Sequence, residues 1–234
     1  MVDEAIGGMP AVDTCSTLTY AIPVFIWSDH FDEAESWIER LIAHAARNLL
    51  PPYHAIGIAL RGELSVVRGD TATGVPLLRR ALTIMRADRH TILIPGFCRA
   101  LAEGLARDGA FEEAAATIAE AVKLAQQGGE SFDFPNLLRA QAEICMEGPQ
   151  PDLAMAETLL LRSIEHALRQ SALAWQVRSA IPLTRLWAGQ GRGEEATELL
   201  TRLQQQSPEA LGSIYPAAAR AVREDPSLFV AFTY

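Results

Sequence analysis

Four arginines, Arg61, Arg99, Arg139 and Arg178, follow one another at steps of 38, 40 and 39 residues. A guanidinium is a planar, permanently charged fork that grips a carboxylate or phosphate through two parallel hydrogen bonds. If the segments that carry them repeat one geometry, near-equal spacing sets the four forks on one surface. Arg185, one or two helical turns past Arg178, extends the row. Tyr53, Phe97 and Trp175 fall near the starts of the same segments and offer aromatic walls to a groove. A second reading stays open beside this one: each arginine pairs with a neighbouring acid, such as Glu63, Glu103 or Glu143, and the network is internal.

Other chemistry finds little support. No Gly-x-x-x-x-Gly-Lys-Ser/Thr loop is present, and the lone lysine, Lys123, falls in the middle of an expected helix. His30, His44, His54, His90 and His166 are scattered, none with a second His or Cys at metal-ligand spacing. No serine sits in a Gly-x-Ser-x-Gly elbow. The expectation is therefore no catalytic residue, no metal and no cofactor. Cys15, Cys98 and Cys145 are odd in number, far apart and set among apolar residues, which reads as buried free thiols. A net charge of −9 opposes contact with a nucleic-acid backbone. No apolar run approaches the roughly 20 residues that span a bilayer, and no basic segment leads into an apolar one at the start. A cytoplasmic protein with no membrane contact is expected.

The elements that must carry the arginines announce themselves through a different repeat. Small residues recur at Ala34, Gly74, Ala114, Ala156 and Ala196, and four residues after each stands Ile38, Leu78, Ile118, Leu160 or Leu200. Positions i and i+4 share a helix face, so the small residue admits a neighbouring helix and the large one fills the space beside it. Turn signals precede each small residue, among them Gly69-Asp70, Asp108-Gly109 and Gly191-Arg192-Gly193. This predicts about five antiparallel helix pairs over 12–48, 53–87, 95–127, 135–169 and 174–205, with a closing helix and apolar tail in 207–234. Pro51-Pro52, Pro95 and Pro135 break the chain between pairs, Pro135 also suiting a first helical position after an Asp133 cap, whereas Pro23 and Pro182 fall inside first helices and predict kinks. The fold class is all-α, and the chain reads as a single repeat domain over 1–234. Residues 1–11, which have no helix partner of their own, read as the last turn of something removed, which leans towards a fragment of a larger protein, with a stand-alone array as the other reading.

Three stretches carry a resemblance. They are Pro23–Trp27 leading into Phe31-Asp32-Glu33-Ala34-Glu35; Gly96-Phe97-Cys98-Arg99-Ala100-Leu101-Ala102-Glu103 followed by Ala114; and Leu183-Thr184-Arg185-Leu186-Trp187-Ala188-Gly189-Gln190-Gly191-Arg192 before Glu195–Leu200. Over about residues 15–203 the chain resembles a tetratricopeptide-like superhelical solenoid with a period near 40. More narrowly, it resembles the C-terminal repeat region of bacterial signal-transducing ATPase regulators that carry winged-helix or cyclase domains. The resemblance implies a sensor or assembly region in which first helices line a concave groove.

The expected function is thus a non-catalytic protein-interaction or effector-sensing repeat domain of a bacterial transcriptional or signalling regulator. Its partner would be a protein, a peptide or a small acidic effector. The alternative is a structural scaffold, a homo-oligomer joined through end repeats or the apolar C-terminal tail.

Overall fold

The computed structural model describes residues 10–87, 92–129 and 132–206. These residues form ten α-helices and no strand. In chain order they are α1 (Ala11–Trp27), α2 (Phe31–Arg47), α3 (Pro51–Val67), α4 (Thr71–Ala87), α5 (Ile94–Arg107), α6 (Phe111–Gln127), α7 (Phe134–Glu147), α8 (Leu153–Arg169), α9 (Leu173–Gly189) and α10 (Gly193–Gln206). The closing helix and tail expected in 207–234 lie outside the described residues. The chain divides into two compact units, Met1–Ala121 and Val122–Tyr234, with the division inside α6.

The ten marker residues are all buried, from Ala34 and Ile38 through Ala196 and Leu200. Each small–large pair faces inward, as the i, i+4 spacing requires. In the first unit α1 packs on α2 and α3, α3 on α4 and α5, and α4 on α5. In the second unit α7 packs on α8 and α9, and α9 on α8 and α10. Within each unit, first helices therefore meet first helices one repeat on, as stacked hairpins do.

The hairpin turns explain why the period holds. Asp29, Gly69, Gly109 and Gly191 all take a left-handed backbone, with φ of 61°, 85°, 78° and 77°. The next residue returns its N–H to the carbonyl five positions back: His30 to Phe25, Asp70 to Ser65, Ala110 to Leu105, Arg192 to Trp187, at 2.8–2.9 Å. That bond satisfies a carbonyl the helix end would leave orphaned. The hairpin around Gly148–Pro151 is longer by two residues and closes from Asp152 N–H to the Cys145 carbonyl at 3.0 Å. This accounts for the single 42-residue step in the series. Asp152 also caps α8, its side chain accepting from the Met155 N–H at 2.9 Å, and Asp70 does the same for Thr73 at 3.1 Å.

One local expectation needs correction. Asp133 does not cap α7 with its side chain; its carbonyl instead receives the Asn136 and Leu137 N–H groups, and the helix starts at Phe134 with Pro135 second. Pro23 and Pro182 lie inside α1 and α9, as expected, and Pro76 lies inside α4 as well; each helix runs on past its proline.

Candidate binding surface

Arg99 is 5% exposed on α5, a helix that buries nearly every residue from Ile94 to Ala106. Its fork reaches Glu103 one turn on in its own helix, and Glu63 of α3, which is itself 4% exposed. The interhelical partner lies 36 residues back, so this ion pair joins two repeats of the first unit. Arg139 stands at the matching place in α7. It is buried, pairs with Glu143 four residues on, and donates from Nε to the Asn136 carbonyl-type side-chain oxygen at 2.9 Å. Both guanidinium groups are thus engaged by carboxylates of this chain, the internal arrangement left open above. Charges this buried are held only with such partners, since an unpaired one costs several kcal/mol.

Arg61 is placed differently. The residue 40 before Arg99 is Ala59, and Arg61 lies two residues further, about 200° round the helix. It faces α2 and pairs with Glu39 near the surface. Arg178 on α9 stacks over the Trp175 ring, 5.5 Å from its centre, with Trp175 buried. Arg185 is exposed on the same helix. Phe97 is core, and Tyr53 shares a hydrogen bond of 2.7 Å with Ser16 of α1. Arg178 and Trp175 are therefore brought together, whereas Arg61 and Arg99 look to different neighbours.

Several functional-looking groups escaped the sequence reading. Trp187 Nε1 donates to Glu157 at 2.8 Å, and Arg192 donates to both Glu157 and Glu195 while lying 4.9 Å from the Trp187 ring centre. The Trp187 hydrogen bond, followed by that from Arg192, holds the Glu157 carboxyl below its ordinary range, and the Arg192 hydrogen bond does the same for Glu195. Arg192 is shifted upward by the same two acids, Glu195 first. The cluster ties α8 to the α9–α10 turn. Ser163, buried on α8, donates to the Pro135 carbonyl of α7 at 2.6 Å and shares a hydrogen bond of 2.7 Å with Ser179 of α9. Among the described residues, no group of three or more His, Cys, Asp and Glu is placed to hold a metal. No described helix is long and apolar enough to cross a membrane.

No protein-family model and no curated protein sequence matches the chain. Solved structures do. BtubC (BKLC) from P. vanneervenii is 21% identical, with a TM-score of 0.59 over 83% of this chain and 91% of that one. The nearly identical TPR-like repeats of a Podosopora anserina protein described as a kinesin light chain give 17% and 0.54 over 81% of this chain and 93% of that one. A signal transduction ATPase with numerous domains and a tetratricopeptide repeat sensor, from Pyrococcus horikoshii, gives 13% and 0.54 over 97% of this chain. This chain spans 40% of that protein. At such identities the likeness shows the fold, and the fold is an all-α, tetratricopeptide-like repeat solenoid.

Proposed function

We propose that the chain is a non-catalytic, cytoplasmic protein-interaction and effector-sensing domain of a bacterial transcriptional or signalling regulator, acting as one repeat domain over 1–234. The observation that carries this reading is the hairpin array itself, in which adjoining repeats are joined by side-chain pairs such as Arg99–Glu63 and Arg68–Glu35. Interfaces of this kind are additive and individually soft, so an occupant that bridges two repeats shifts their packing and is felt by attached modules. The Pyrococcus horikoshii ATPase, whose repeats are described as a sensor, supports the same direction. In the first unit Arg61, and separately in the second unit Arg178 and Arg185, are the residues that reach a protein, peptide or small acidic effector. In the first unit Arg99 ties α5 to α3, where Arg61 stands, and Tyr53 ties α3 to α1.

A second reading has its own observation. Val12, Tyr20 and Val24 are exposed on α1, an apolar strip that suits self-association through an end repeat. One experiment separates the two: cross-linking in the host cell with mass determination of the purified complex, followed by hydrogen exchange to map the footprint. A stoichiometric heterologous partner supports the sensor. A homo-oligomer that dissociates when Val12, Tyr20 and Val24 are made polar supports the scaffold and overturns the sensor.

A further inference from the structure

We infer that the outward face of α8 docks an acidic amphipathic helix of a partner protein; this rests on the interaction reading above and names its partner surface. The face departs from its counterparts. Five and twelve residues after the marker small residue, α2 carries Glu39 and Ala46, α4 carries Arg79 and Arg86, and α6 carries Ala119 and Gln126. At the same two places α8 carries Leu161 and Leu168, 45% and 55% exposed. Seven residues apart, they lie nearly in line along the helix, about 10 Å from each other. An arginine follows each: Arg162 and Arg169 run beside the leucines as a parallel strip.

The first unit shows what such a strip takes. Arg79 and Arg86, seven apart on α4, pair with Glu113 and Glu120, seven apart on α6, at 2.7 and 3.0 Å. A helix with carboxylates at that spacing is thus the complement of a helix with arginines at that spacing, by this chain's own geometry. On α8 the arginines remain available. Among the described residues Arg162 has no ion pair, and Arg169 has only a loose one to Glu165 at 3.6 Å, both side chains more than half exposed. Exposed leucines supply apolar area, and the two arginines select a partner whose acids stand beside its own apolar stripe. A second copy of α8 is a poor occupant, because it would set arginine strip and leucine strip against their like.

The test uses the whole chain and a fluorescent peptide with the sequence of residues 111–127, locked helical by a side-chain lactam; it presents Glu113 and Glu120. Expected is micromolar binding, weakened at least tenfold by Arg162→Glu/Arg169→Glu and by Leu161→Gln/Leu168→Gln. A peptide with Glu113→Arg/Glu120→Arg regains binding to the charge-reversed protein. All four substituted positions are exposed, and unchanged circular dichroism confirms the fold. Absence of binding, or binding that survives both double variants, overturns the inference. A native partner whose hydrogen-exchange footprint avoids α8 overturns it too while leaving the interaction reading standing, whereas no partner at all removes that reading.

Discussion

Gly74→Ala makes the sharpest test of how the repeats fit. Four of the five marker positions are alanine, and the fifth is glycine because of what faces it. A Cβ on Gly74 would lie 2.6 Å from Val66 Cγ2, 2.8 Å from the Gly62 carbonyl oxygen and 2.9 Å from the Val66 nitrogen. Two of these three are backbone atoms of α3, so a rotamer change cannot relieve the contact and the helices must separate. Overpacking of this kind costs about 1–3 kcal/mol. The gain in helix propensity from glycine to alanine returns about 1 kcal/mol. Because two of the three obstacles are backbone atoms, the cost falls in the upper part of that range, about 2–3 kcal/mol, and the net loss is about 1–2 kcal/mol, read as a lower urea midpoint at unchanged slope. Gly62→Ala approaches the same seam from the other side, 3.0 Å from the Gly74 carbonyl oxygen and 2.8 Å from Leu78 Cγ. Because one separation relieves both clashes, the double variant loses less than the sum. Gly189→Ala, which meets nothing within 4 Å, serves as control and is neutral or gains up to about 1 kcal/mol. A Gly74→Ala protein as stable as the parent, with the control behaving as stated, would refute the close approach of α3 and α4.

Arg99→Met leaves Glu63 buried without its guanidinium and should cost about 3–5 kcal/mol in urea unfolding; adding Glu63→Gln recovers part of that loss. Glu157 and Glu195 are both held below the ordinary carboxylate range, so their stabilisation is complete above about pH 4.3, the unfolded glutamate value, and disappears as pH falls through the folded values. Melting temperatures followed from pH 7 downward should therefore drop less in Glu157→Gln than in the parent. Burial pushes the Cys98 thiol up to about 11, outweighing the opposing pull of Arg86 at 3.7 Å. Iodoacetamide at pH 8 should label Cys98 at least about a hundredfold more slowly in the folded protein than in urea, where the thiol returns to its free value near 8.5. Equal rates would show that α5 opens freely.

The architecture was written in the sequence because its signals are local. A small residue, a large one four later and a left-handed turn before them describe one hairpin, and repetition describes the stack. Ala34–Ile38 and Ala114–Ile118 could be read without knowing any distant contact. The arginine row failed to read so cleanly because its period is only approximate. A step of 38 in place of 40 moves Arg61 to the other side of its helix, where Glu39 awaits it. Arg99 and Arg139 keep the true period, yet spacing does not disclose burial; that depends on α5 and α7 being enclosed by neighbours on nearly every side. The face of α8 was hidden for a related reason. Leu159, Leu160 and Leu161 are identical in sequence, but a helix can turn only two of three consecutive residues into one core, and the third stands in solvent. Asp133 illustrates a smaller failure, since an acid before a proline is a cap only if its rotamer reaches back to the helix.

The central claim, that matched helix hairpins pack through one small–large pair per repeat, is tested most directly by a proteolysis-based stability scan of every alanine and glycine changed to leucine. The expected profile has deep losses at positions 34, 74, 114, 156 and 196, separated by shallow effects at exposed sites such as Ala72 and Ala154. A profile without that 40-residue rhythm, or one in which Ala114→Leu and Ala156→Leu are tolerated as well as surface changes, would contradict it.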